Sequence, residues 1–190
     1  MKKKLALMLI TALAVFLLDQ LTKGWIASAM QVGGRISIID GFAQLRYTHN
    51  TGAAFGLFRD ASSLLSVLSP LVIAGIVIAF VRLSNPPPLS TFAAGLIVGG
   101  ALGNLLDRLR LGYVVDFIEV YGPHLDIGGT IYTFPVFNVG DSAITIGVIL
   151  ILAGLLFAKD EQAPQAQPAM DDQPSTPPNS STTNHTHLAG

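Results

Sequence analysis

The sequence contains no cysteine, which excludes disulfide bonds and thiol chemistry. Charged residues are scarce as well: they make up 12% of the 190 residues, whereas soluble domains typically carry about 25%. The formal net charge of -1 leaves no basic surface for nucleic acid. Because 51% of the residues are apolar and the mean hydropathy is +0.56, the composition predicts an integral membrane protein.

Four hydrophobic blocks approach the roughly 20 residues that a membrane-spanning helix needs. They cover residues 5–29, 61–81, 89–106 and 142–158. Lys2, Lys3 and Lys4 precede the first block and predict a cytoplasmic N-terminus, because basic residues favour that side. Four spans would return the C-terminus to the same side.

The first block also has features of a cleaved signal peptide, since Ala27-Ser28-Ala29 resembles a cleavage site. That site lies far beyond the apolar run, and Asp19, Gln20 and Lys23 intervene. We therefore interpret the block as an uncleaved first span.

A change in composition near residue 160 divides the chain into a membrane domain and a tail. Residues 160–190 are rich in Pro, Gln, Ser, Thr and Asn and cannot bury a core, so they predict a disordered tail. Residues 1–159 would form the membrane domain, and we expect the tail to be dispensable for activity. Strand-like runs at 36–39, 42–47, 113–121 and 130–137 predict a small sheet on the outer membrane surface.

Two aspartates, Asp116 and Asp141, lie in apolar runs at the outer edge of predicted spans. A carboxylate there is costly and usually marks a functional site. Two carboxylates that approach each other share a proton, and such a pair can activate a water molecule to attack a peptide bond.

Two span ends carry polar triplets at the spacing i, i+3, i+4, which places each triplet on one helix face. The triplets are Asp19, Thr22 and Lys23 in the first span and Asn104, Asp107 and Arg108 in the third. Asp19 with Lys23 also fits a simple interfacial ion pair, and Asp107 and Arg108 fit pairing with each other or with that pair. The glycines between Gly99 and Gly103 favour close helix packing.

Two further segments add amides near the aspartates. Asn50-Thr51-Gly52 opens a small-residue stretch that fits either a site loop or the start of the second span. Asn138 and Asp141 are three residues apart at the start of the fourth span, so either fits a helix cap. Capping does not account for the separate Asp116.

In chain order these motifs resemble bacterial lipoprotein signal peptidase (signal peptidase II), over about residues 5–158. The motifs are Asp19-Gln20-x-Thr22-Lys23, Asn50-x-Gly52-x-x-Phe55, Gly100-Ala101-x-Gly103-Asn104-x-x-Asp107-Arg108, Val114-Val115-Asp116-Phe117 and Phe137-Asn138-x-x-Asp141. One departure is Gly140, where the family commonly has alanine; since both are small, we expect only a local change where the fourth span begins.

The resemblance implies a membrane aspartic protease that cleaves a prolipoprotein just before a cysteine carrying a diacylglyceryl group. It implies four transmembrane helices, an outer β-cradle and a catalytic pair, Asp116 and Asp141. Further positions that shape the site or bind substrate would be Asp19, Lys23, Asn50, Gly52, Asn104, Asp107, Arg108 and Asn138. We expect plasma-membrane localisation with the site at the outer face, membrane lipid and lipidated precursor as partners, and activity as a monomer.

We expect no metal and no cofactor, because the sequence lacks His-Glu-x-x-His and its His49 and His124 are isolated. Three other functions stay open. Gly140-Asp141-Ser142 resembles a serine-protease motif, although that reading leaves Asp116 unused. Intramembrane carboxylates also occur in proton-coupled transporters, although there they lie near the midplane. A structural membrane protein with buried polar networks is the third.

Overall fold

The computed structural model describes residues 2–52, 61–83, 85–121, 125–127, 130–132 and 134–160. The described residues do not include the predicted tail beyond residue 160. They also do not include Phe55 and His124. The described elements are, in order, α1 (Lys2–Ala29), β1 (Arg35–Ile39), β2 (Ala43–Asn50), α2 (Ala61–Arg82), α3 (Pro88–Leu111), β3 (Val114–Val120), β4 (Leu125–Ile127), β5 (Thr130–Tyr132) and α4 (Val139–Asp160).

All four predicted spans are helices that are long and apolar enough to cross a membrane. Helix α3 is the centre of the bundle, since it packs against α1, α2 and α4. Its glycines make this possible: a Cβ on Gly99 would overlap the backbone of Ala12 in α1, and one on Gly100 would overlap Gly140 in α4. The glycine run therefore serves helix packing, as predicted.

Helix boundaries differ from the prediction mainly in α3. The helix continues five residues beyond residue 106, to Leu111, and ends at Gly112, whose φ of 82° suits a left-handed cap. Asn104 and Arg108 therefore lie in its last two turns rather than at its edge. Helix α1 is continuous and packs against α3, as an uncleaved first span requires.

A three-stranded antiparallel sheet, in the order β1-β2-β3, follows the C-terminal ends of α1 and α3. Asp40 and Gly41 lie in the turn that joins β1 to β2, and Gly41 has a φ of 72° there. Strand β2 has a bulge between Leu45 and Thr48, where its pairing with β3 shifts by one residue.

The prediction of one strand over 130–137 was too long. Strand β5 ends at Tyr132 and pairs with β4, which was not predicted. Phe137 makes only an isolated bridge to Ile118 of β3. Pro135 lies between them, and because proline has no backbone N–H it does not continue a ladder.

An apolar cluster attaches the sheet to the end of the bundle. It contains Ile26 of α1, Tyr47 of β2, and Val115 and Phe117 of β3. Phe117 is 5% exposed and packs in this cluster, so it is a core residue. The cluster holds β3, and with it Asp116, against the helices.

Candidate functional site

The two predicted aspartates come from different layers of the fold and meet at the junction of sheet and bundle. Asp116 lies in the middle of β3 and is 1% exposed. Asp141 lies in the first turn of α4 and is half-buried. A negative charge is favoured at a helix N-terminus, so the backbone of α4 supports an ionised Asp141.

Asn138 contacts both aspartates. Its side-chain Nδ2 donates to Asp116 Oδ1 at 2.7 Å, and its backbone N–H donates to Asp141 Oδ2 at 3.3 Å. Asp141 returns a hydrogen bond from its own N–H to Asn138 Oδ1 at 2.8 Å. This reciprocal pair is a capping box, so the predicted cap and the predicted site use the same residue.

Asn104 forms the next link, from the third helix. Its Nδ2 donates to Asp141 Oδ1 at 2.8 Å, which leaves its Oδ1 to accept hydrogen bonds. That oxygen accepts from Lys23 Nζ at 2.7 Å and from Asn138 Nδ2 at 3.0 Å. Because Lys23 can only donate, it fixes which end of the Asn104 amide faces Asp141.

Lys23 lies in a buried ion cluster rather than at the interface, where one interpretation of the sequence put it. It is 3% exposed, and its Nζ lies 2.8 Å from Asp19 Oδ2 and 3.1 Å from Asp107 Oδ2. Asp19 Oδ1 accepts from the N–H of Gly140, at the start of α4, at 2.8 Å. The cluster thus joins α1, α3 and α4 behind the two aspartates.

Two residues near the ion cluster behave differently from the sequence pattern. Gln20 was not predicted as a site residue, yet its Nε2 donates to Asp107 Oδ1 at 3.1 Å and to the carbonyl of Gly103 at 3.2 Å. Thr22 was grouped with Asp19 and Lys23, but its hydroxyl donates to backbone carbonyls of α1 instead. Helical spacing alone did not separate these two roles.

Asn50 reaches Asp116 from the neighbouring strand. Its Nδ2 donates to Asp116 Oδ2 at 2.8 Å, while its Oδ1 accepts from the N–H of Gly52 at 2.8 Å. Gly52 has a φ of 79°, a conformation that side-chain-bearing residues rarely adopt. The bulge in β2 sets Thr48 opposite Asp116, and so brings Asn50 alongside it.

Arg108 lies near the end of α3, one turn after Asn104. Its Nη1 donates to the Asn104 carbonyl at 3.3 Å. Its Nε is buried and has no hydrogen-bond partner among the described residues. An orphaned donor near two carboxylates is costly and suits a ligand group that would accept from it.

Burial raises the pKa of Asp116 to about 6, from an ordinary value of 3.8. The amide donor from Asn50 opposes this rise, the charge of Asp141 adds to it, and Asn138 and Lys23 oppose it. Asp116 therefore holds its proton to a higher pH than an ordinary aspartate does.

Two cavities adjoin the aspartates and share the walls formed by Asn50, Pro135 and Val136. The first, of about 510 Å³, contains Asp141. The second, of about 290 Å³, contains Asp116. Among the described residues, no three His, Asp or Glu side chains converge in a way that would hold a metal ion.

Ser142 is not arranged as a nucleophile. Its hydroxyl donates to the carbonyl oxygen of Asn138 at 3.0 Å, as helical serines commonly do. His124, the base that a serine mechanism would need, lies outside the described residues.

Comparison with known proteins matches residues 11–157 to the family described as signal peptidase (SPase) II. The chain is 43% identical over 146 residues to a lipoprotein signal peptidase of Geobacillus kaustophilus, covering 77% of this chain and 90% of that protein. It is 38% identical over 153 residues to one of Symbiobacterium thermophilum, covering 80% and 96%. A solved structure of a bacterial membrane enzyme superposes with a TM-score of 0.72 at 32% identity, covering 84% of this chain and 93% of the other. The chain therefore belongs to the signal peptidase II family.

Proposed function

We propose that this protein is a membrane aspartic endopeptidase that removes signal peptides from diacylglyceryl-modified bacterial prolipoproteins. The observation that carries the proposal is the contact of one residue, Asn138, with both Asp116 and Asp141 at the edge of two cavities. Family membership supports the substrate class, since the relatives are named lipoprotein signal peptidases.

In the proposed mechanism Asp141 is the base and Asp116 the acid. The ionised Asp141 carboxylate takes a proton from water, and the water oxygen attacks the carbonyl carbon of the scissile peptide. Asp116 gives its proton to the carbonyl oxygen, which produces a gem-diol. Burial opposes the charge of both carboxyls, and the helix N-terminus at Asp141 is what supports placing the negative charge there.

Breakdown of the gem-diol restores the pair. Asp141 passes its proton to the leaving nitrogen as the C–N bond breaks, and one gem-diol hydroxyl returns a proton to Asp116. The orphaned Nε of Arg108 is available to a substrate carbonyl or other acceptor in this sequence. Asn104 and Asn50 hold the carboxylates, and the cluster of Lys23, Asp19 and Asp107 holds the helices that carry them.

The proposed site lies at the outer face of a bacterial plasma membrane, with both termini in the cytoplasm. The three N-terminal lysines support this orientation, because the site follows α1 and α3 at the opposite end of the bundle. A substrate anchored in the same leaflet would reach the aspartates at the right depth. The proposal includes activity as a monomer.

The test is cleavage of one precursor peptide with and without a diacylglyceryl group on its cysteine, by the purified protein. We expect strong preference for the lipidated peptide, cut just before the cysteine. Equal cleavage of both forms would remove lipid recognition from the proposal. Cleavage of neither form, by protein that is folded and inserted, would contradict the proposed function itself.

A further inference from the structure

The cavity that contains Asp116 has a polar wall outside the catalytic network. Strand β2 supplies Arg46, Thr48 and His49 to this wall, and Thr51 follows them. The cavity that contains Asp141 differs: beside Ser142 and Thr145 it is lined by Phe134, Phe137 and Ile146, and α4 forms one side of it. A chain bound across both aspartates would therefore pass from a largely apolar cavity to a polar one.

Arg46 is held in this wall but is not fully paired. Its Nη1 lies 2.8 Å from Glu119 Oε1, so the guanidinium has a fixed position. Gln44 also donates to Glu119. Although burial opposes it, these hydrogen bonds lower the pKa of Glu119 below its ordinary value, which keeps the carboxylate charged. Yet Nε of Arg46 is buried and has no hydrogen-bond partner within the described part of the chain.

His49 is held just as firmly beside it. Its ring stacks on Tyr113 with centroids 3.7 Å apart, and its Nε2 lies 3.0 Å from the hydroxyl of Tyr47. These contacts fix the imidazole at the cavity wall without involving Asp116 or Asp141. Polar side chains that internal contacts hold at a cavity wall, with a buried donor of Arg46 left over, are what a peptide subsite requires.

We propose that this polar cavity is the subsite for the first residues of the mature polypeptide after the lipid-bearing cysteine, and that Arg46 and His49 make it favour hydrogen-bond acceptors over cations. The inference rests on the proposed function, which supplies the direction of the substrate. The acyl chains and the signal peptide belong to the membrane and fit the apolar cavity beside α4. The mature segment leaves the membrane and takes the remaining, polar cavity.

The expected selectivity follows from the wall. A serine, asparagine or aspartate side chain would accept from the orphaned Nε of Arg46 and from polar atoms nearby. A lysine would bring a second cation against Arg46 in a partly desolvated space. Glu119 already balances the charge of Arg46. We therefore expect the cavity to accept neutral and negatively charged hydrogen-bond acceptors alike, and not anions alone.

The experiment uses lipidated precursor peptides that differ only in the residue after the cysteine: alanine as reference, then serine, aspartate and lysine. For the unmodified protein, kcat/KM for the serine and aspartate peptides should exceed that for the lysine peptide about tenfold, mainly through KM. The double variant Arg46→Met with Glu119→Gln removes the cation without leaving its partner unpaired, and should bring the ratio to within about twofold. His49→Phe keeps a ring against Tyr113. It should lower the ratio of kcat/KM between the serine and lysine peptides, but less than the Arg46 double variant does.

Arg35→Met is the control for charge alone. Arg35 is exposed on β1 directly opposite Arg46, and its charge also acts on Glu119, but its side chain does not line the cavity. It should leave the ratio unchanged. Equal cleavage of all peptides by the unmodified protein, or an unchanged ratio in the Arg46 variant, would overturn the subsite assignment alone. A second set of lipidated peptides would differ only in the residue before the cysteine. If the Arg46 variant changed the selectivity for that residue instead, the cavity would bind the signal-peptide side, and this would also overturn the assignment. Failure to cleave any lipidated peptide would instead contradict the proposed function.

Discussion

Asn138 donates its side-chain amide to Asp116 across 2.7 Å, although Asn138 immediately precedes α4 and Asp116 lies in β3, on a different side of the site. The same residue caps α4 through its Oδ1, which accepts from the N–H of Asp141. One side chain therefore sets where the fourth helix begins and how far the helix aspartate lies from the strand aspartate. Its two functions use different atoms, and a substitution can separate them.

Asn138→Ser should keep the cap but lose the link to Asp116. Serine is as good an N-cap as asparagine, so the cap should survive, and the free energy of unfolding in detergent should fall by about 1–3 kcal/mol through the lost bonds to Asp116 and Asn104. Cleavage of a lipidated precursor should fall about 100-fold or more, because a catalytic group that is misplaced by 1 Å can cost that much. Asn138→Ala should lose both stability and activity. Near-normal turnover by the serine variant would show that the link is dispensable.

The raised pKa of Asp116 predicts the pH at which kcat/KM begins to fall on the alkaline side of its pH profile. The proposed mechanism requires one proton on the pair, and in the free enzyme we expect that proton to leave Asp116 as the pH rises through about 6. We therefore expect kcat/KM to fall above this pH. Asn50 stabilises the charged form of Asp116, so Asn50→Ala should raise its pKa and move the alkaline limb to higher pH.

Thr48→Val is the control for that shift, since Thr48 lines the same cavity and faces Asp116 in the ladder. In Thr48→Val the alkaline limb of the kcat/KM profile should lie at the same pH as in the unmodified protein. A limb that moves to lower pH in Asn50→Ala would contradict the assignment of the proton to Asp116.

Helix packing and the ion cluster meet at Gly103. A Cβ at this position would overlap the Asp19 carboxylate, which pairs with Lys23 and accepts from Gly140. Gly103→Ala should therefore destabilise the protein by about 1–3 kcal/mol through overpacking, and should lower activity because α4 loses its support. The readouts are the thermal unfolding midpoint in detergent and the rate of precursor cleavage.

Gly24→Ala provides the comparison on α1, one residue after Lys23. Among the described residues, no atom outside its own turn of α1 lies within 4 Å of the position that a Cβ would take. The substitution should leave activity intact and stabilise the helix by about 0.5–1 kcal/mol. If the two alanine variants behaved alike, close approach at Gly103 would not explain its presence.

The sequence predicted the four spans and the sheet because long apolar runs and alternating strands are local patterns. The sequence also identified the polar motifs, but it did not show which of their side chains contact each other. That Asn50 meets Asp116 depends on the β2 bulge and on strand pairing across 66 residues of chain. The burial of Lys23 depends on Asp107 arriving from another helix. The orphaned nitrogens of Arg46 and Arg108 become visible only when every neighbour is in place.

The most direct measurement of the central claim is turnover of a lipidated precursor by Asp116→Asn and Asp141→Asn, with Ser142→Ala alongside. Each asparagine variant keeps the size of the side chain but removes one carboxylate from the proton-sharing pair. We expect the two asparagine variants to lose at least about 1000-fold in turnover while remaining inserted and folded. The alanine variant should keep its activity, since Ser142 only donates to a backbone carbonyl. Full activity in either asparagine variant, or loss in Ser142→Ala alone, would contradict the account.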